Sequence, residues 1–130
     1  MVRLVGEGDP ATARAALEGL AKYEEAARDG ARNPRPVAGQ VRRAVLRDHG
    51  GSGPPAILVP SLINPPDVLD LDEDVSLASA VARMGRRSLL LDWGEARERA
   101  DLDVGGQVAR VLVPLLEQLD EPPALIGYCL

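Results

Sequence analysis

The chain has 130 residues and a formal net charge of −5, with 45% hydrophobic and only 2% aromatic residues. That length fits one modest domain with its own core. That charge argues against a nucleic-acid binder gripping phosphates, the scarce aromatics leave base-stacking platforms and aromatic cages poorly supplied, and no apolar stretch nears the roughly 18 residues of a membrane span.

The first predicted element is a helix opened by Asp9 as N-cap and Pro10 as first helical residue. Ala13, Ala16, Leu17, Leu20 and Tyr23 form one thin apolar stripe, and Gly30 is its expected stop. A stripe this poor in large side chains packs weakly or covers a partner. Asn33-Pro34-Arg35-Pro36 reads as a linker, so residues 1–36 form a helix and linker and residues 37–130 the remaining domain.

Gln40 to Arg47 reads as one strand of mixed polarity near a sheet edge, and His49 to Pro55 as a long turn. Ala56 to Val59 is a short apolar run between turn signals, as in a parallel strand buried on both faces. Asp74 is a candidate cap for a helix carrying Leu77, Ala80, Val81 and Met84, stopped by Gly85. Ser88 to Leu91 is the next buried strand, followed by an exposed charged loop to Asp103. Val104, Val108, Val111, Leu112, Leu115, Leu116 and Leu119 give the clearest helical stripe, which Pro114 should kink. Ala124 to Ile126 is a last buried strand. Strand, helix, strand, helix, strand predicts a parallel α/β sheet with right-handed crossovers.

Function in such sheets gathers where loops leave the carboxyl ends of the strands. Those ends are Pro60 to Pro66, Asp92 to Gly94, and Gly127 to Leu130. Gly127-Tyr128-Cys129-Leu130 matches the opening of a nucleophile elbow, G-x-[Ser/Cys]-x-G, in which a strained strand-to-helix turn exposes the nucleophile. The alternative is an inert thiol after a buried strand. An oxyanion hole draws one amide from the residue after the nucleophile and another from an earlier strand-to-helix loop. Leu130 and the loop Leu62 to Asn64 hold those places in chain order.

The run Val59 to Leu71, VPSLINPPDVLDL, resembles the polyhydroxyalkanoate synthase segment VPxxINxxxxLDL. Ser76-Leu77 resembles that family's SL at the next helix. Met84-Gly85 through Asp92-Trp93-Gly94 resembles its xGxxVxLxDWG, and Gly127 to Leu130 its GxCxGG box. The four blocks stand in the family's order; Asp67 departs from an aromatic in the family, and the loop Glu95 to Asp101 is unusually charged. The resemblance implies the N-terminal part of an α/β-hydrolase fold and acyl transfer from coenzyme A thioesters of (R)-3-hydroxy acids, with no cofactor. It implies Cys129 as nucleophile and the backbone amides of Ile63 and Leu130 as oxyanion donors. The family's catalytic Asp and His follow the cysteine, so the chain reads as a fragment that is inactive alone. An esterase or thioesterase of the same fold, or a non-catalytic truncated scaffold, are the alternatives, and a homodimer or a partner subunit stays open. Residues 1–10 lack a signal-peptide core, and the lone cysteine allows no intrachain disulfide, so a cytoplasmic protein is the default.

His49 precedes the first central strand, out of order for a triad base, and reads as a solvated loop residue. Asp92 reads as a loop cap rather than a catalytic acid. Gly50-Gly51-Ser52-Gly53 lacks the lysine of a phosphate loop and reads as a turn. One histidine and one cysteine far apart predict no metal site.

Overall fold

The computed structural model describes residues 10–25 and 35–129, which fall in two compact units, Met1–Asn33 and Pro34–Leu130. The described part of the first unit is helix α1, Pro10–Glu25, with none of its residues buried. Proline suits its first position because the ring presets φ and the missing N–H has no intrahelical partner there. Leu17, Leu20 and Tyr23 of the apolar stripe are exposed. The predicted cap Asp9, the stop Gly30 and the linker start Asn33-Pro34 lie outside the described residues.

The second unit is built on a five-stranded sheet in the order β1-β2-β4-β3-β5. Its strands are β1 (Val37–Val41), β2 (Ala44–Asp48), β3 (Pro55–Val59), β4 (Arg87–Asp92) and β5 (Ala124–Gly127). The predicted single strand Gln40 to Arg47 is instead a hairpin, with β1 and β2 joined through Arg42-Arg43. Arg42 takes φ 55, which tight hairpin turns of this length demand, although arginine carries no turn signal. β2 runs antiparallel to β4, whereas β3, β4 and β5 are mutually parallel. The sheet is therefore mixed, not wholly parallel, because a two-residue turn can only reverse the chain.

Helix α2 (Leu77–Arg83) links β3 to β4. Its cap is Ser76, whose Oγ accepts the Ser79 N–H at 2.9 Å, and not Asp74. Asp72 takes the turn before it, accepting the Asp74 N–H at 2.8 Å. Gly85 ends the element with φ +82. Helix α3 links β4 to β5 and runs through Val104–Gln107, Val108–Leu112 and Val113–Leu116, the middle segment with π turns. Asp103 caps it, its Oδ1 accepting the Gly106 N–H at 2.7 Å. The irregularity expected at Pro114 takes the form of those π turns, just ahead of the residue that has no N–H to donate. The wider turns also shift the stripe. Val104 and Val108 are exposed, while Gln107, Val111, Leu112 and Leu115 are buried.

The two helices cover opposite faces. Ile57, Leu89, Leu91 and Trp93 pack with Val111, Leu112 and Leu115 of α3, and Leu58 and Leu90 pack with Leu69 and Ala78 on the α2 side. Each fully buried Leu or Ile contributes about 1.5–3 kcal/mol. This two-sided cover is why β3 and β4 read as continuous apolar runs. β5 departs from expectation: it pairs only with β3 among the described residues, and Ala124 and Leu125 are exposed, so it is a sheet edge and not a buried strand. No helix among the described residues is long and apolar enough to cross a membrane.

Candidate functional site

β3, β4 and β5 are parallel, so the loops after Val59, Asp92 and Gly127 leave the same end of the sheet. β3 and β5 are direct neighbours. Their pairing continues into the loop, with the Tyr128 N–H donating to Val59 O at 3.0 Å. The fold thus brings the Cys129 turn beside the loop that contains Ile63.

Cys129 is exposed, with φ 57. A non-glycine residue at positive φ is uncommon and signals an imposed backbone conformation. Among the described residues the other such case is Arg42, which its hairpin turn accounts for. Cys129 lies past the last ladder residue, in the turn that the G-x-C pattern marks. A Cβ on Gly127 would meet nothing within 4 Å, so among the described residues that glycine is not required sterically. Leu130 lies outside the described residues.

Ile63 has its side chain turned outward, 85% exposed. Its amide donates to Ser61 Oγ at 3.0 Å, and the Asn64 amide donates to the same oxygen at 3.0 Å. Ser61 is buried, and its hydroxyl gathers the two N–H groups toward one point. Sequence reasoning missed Ser61, although a serine followed by a turn can accept amides two and three residues on.

Two further contacts fix this loop from the segment that follows β4. Trp93 Nε1 donates to Pro60 O at 2.9 Å in a buried bond. Arg99, at the end of the 3₁₀ turn Ala96–Arg99, donates through Nη2 to Leu62 O. The backbone O of Arg99 in turn accepts Gln107 Nε2 of α3 at 3.1 Å, and Gln107 is buried. A buried tryptophan needs a partner for its N–H, which was a usable signal. Nothing in the sequence marked Arg99, which lay in a loop read as wholly exposed.

Asp92 acts as the predicted loop cap, its Oδ1 accepting the Gly94 N–H at 2.9 Å and its Oδ2 standing 3.8 Å from Arg47 Nη2. His49 is corrected: its side chain is only 2% exposed and its Nδ1 faces Asp70 Oδ2 at 3.8 Å. The turn after β2 lays its own backbone bond on β4 from the Ser88 N–H to Gly50 O, at 2.8 Å, which draws the imidazole inward. His49 follows β2, which runs opposite to the parallel strands, so it stands at the other end of the sheet from Cys129. Gly50 to Gly53 form the predicted turn.

No family model, curated protein or solved structure matches this chain.

Proposed function

We propose that this chain carries the nucleophile turn and oxyanion loop of an α/β-hydrolase-fold acyltransferase resembling polyhydroxyalkanoate synthases. The observation that carries the reading is the positive φ of Cys129, directly after a parallel strand, in a G-x-C sequence. Backbone strain at an exposed nucleophile is what an elbow needs. The neighbouring Ile63 loop and the strand order support the same reading. The Cys129 thiolate attacks the carbonyl carbon of an (R)-3-hydroxyacyl coenzyme A thioester. A carbon–sulfur bond forms, and the carbonyl electron pair moves onto oxygen. Amides of Ile63 and Leu130 stabilise that oxyanion, Ile63 by exchanging Ser61 Oγ for it. The intermediate collapses with loss of the coenzyme A thiolate and leaves an acyl-cysteine. The 3-hydroxyl of a second unit then takes the acyl group, its proton removed by a histidine that follows the cysteine in this family. Water as acceptor makes the same site a thioesterase.

The test uses the natural full-length protein with a short 3-hydroxyacyl coenzyme A. Intact-mass and peptide analysis should find one acyl group on Cys129, and Cys129→Ala should find none. Cys129→Ser keeps the shape but offers a far less ionised nucleophile, and turnover should fall at least about a hundredfold. A fully active Cys129→Ala variant overturns the assignment. Oligomeric product distinguishes transfer to hydroxyl from hydrolysis.

A further inference from the structure

We propose that Arg99 is a positioning residue for the Ile63 amide, acting through the carbonyl of the same peptide unit. The inference rests on the reading of Cys129 and Ile63 above. Arg99 Nη2 donates to Leu62 O. That carbonyl and the Ile63 N–H belong to one planar peptide, and the described chain has no cis bond, so the two groups point in opposite directions. A guanidinium on the carbonyl therefore does two things to the N–H across the plane. It fixes the direction in which the N–H points, and it draws electron density toward oxygen, which makes the N–H a stronger donor.

The Arg99 end of this lever is itself anchored. Gln107, buried on α3, donates its Nε2 to the Arg99 backbone O at 3.1 Å. Trp93 pins the start of the loop at Pro60 O, so the loop around the Leu62–Ile63 peptide is held by two groups from the segment that follows β4. Ser61 Oγ now receives the Ile63 N–H at 3.0 Å, the bond that an oxyanion replaces in the proposed step. A positive charge behind the peptide favours negative charge in front of it. The charged loop after Trp93-Gly94 thus has a specific task for one of its arginines.

Two reactions of one thiolate separate this role from a structural one. Acylation of Cys129 by a thioester passes through a tetrahedral oxyanion. Alkylation of Cys129 by iodoacetamide is a direct displacement at carbon and passes through none. In the natural full-length protein, Arg99→Met should lower the saturating rate of acyl-cysteine formation on the order of tenfold, the loss of one charge-assisted hydrogen bond. Half-saturating thioester and the alkylation rate should stay as in the parent. Arg99→Lys, which keeps the charge and a donor, should recover part of the rate. The Ile63 amide proton should also shift upfield in the Arg99→Met spectrum, while the Tyr128 amide, bonded to Val59 O, stays in place. Equal loss in both reactions, or loss in neither, overturns the proposal. A parent protein that alkylates at Cys129 yet never takes an acyl group there overturns the underlying reading instead; in that case the Ile63 amide shift still decides whether Arg99 governs this peptide.

Discussion

The site proposed at Cys129 and Ile63 rests on backbone geometry more than on side-chain packing. The Cys129 backbone holds a conformation that costs on the order of 1–3 kcal/mol for a residue with a Cβ. The Ile63 amide is engaged with Ser61 Oγ while its side chain faces solvent. The two kinds of substitution at Ile63 should therefore separate sharply. Ile63→Val alters only exposed surface and should change turnover little. Ile63→Pro removes the N–H, and loss of one oxyanion donor should lower kcat by about 10²–10³ with folding intact by circular dichroism. Parental turnover in the proline variant would refute the oxyanion role. The turn that holds Cys129 after β5 was legible, because a glycine and a cysteine after an apolar run are local facts. Ser61 and Arg99 were not legible in that way. Their significance lies in which backbone groups they meet, and for Arg99 those groups are 37 residues away.

At the scale of elements, the apolar runs Ala56 to Val59 and Ser88 to Leu91 announced β3 and β4 because helices cover both of their faces. The hairpin was hidden, since Arg42 supplies the positive φ of the turn in place of glycine, asparagine or aspartate. The burial expected of β5 failed because an apolar segment does not state how many neighbours it has. The glycine turn between β2 and β3 allows a graded test. Gly50 and Gly51 both take φ +89, but a Cβ at Gly50 meets nothing within 4 Å, whereas one at Gly51 would lie 1.9 Å from Arg86 O. Gly50→Ala carries backbone strain alone and should cost about 1–2 kcal/mol. Gly51→Ala adds collision with backbone that β4 holds in place, and should cost about 3 kcal/mol or more. Urea denaturation midpoints should rank parent, Gly50→Ala, Gly51→Ala. The reverse order for the two variants would mean that the turn does not pack on Arg86.

Across the whole Pro34–Leu130 unit, the two edges of the sheet are treated differently. On β1, Gln118 lies along the outer edge and behaves as a substitute strand. The Gln40 N–H donates to Gln118 Oε1 at 3.1 Å, and Gln118 Nε2 donates to Gln40 O at 3.1 Å. The register also slips between Val37 and Gly39, a bulge that makes further pairing awkward. On β5, none of these devices is present among the described residues. Ala124–Gly127 contains no charge, no proline and no bulge, and Leu125 is 51% exposed. An open apolar edge of this kind templates pairing with another strand. The protein should therefore self-associate through β5 as concentration rises, with sedimentation velocity as the readout. Leu125→Lys places a charge on the open edge strand and should move the population toward monomer. Val37→Lys, on the edge that Gln118 already blocks, should leave the distribution as in the parent. If both variants dissociated the species equally, net charge would be the cause rather than the strand edge. If neither did, association would run through some other surface, and β5 would be an edge that tolerates water.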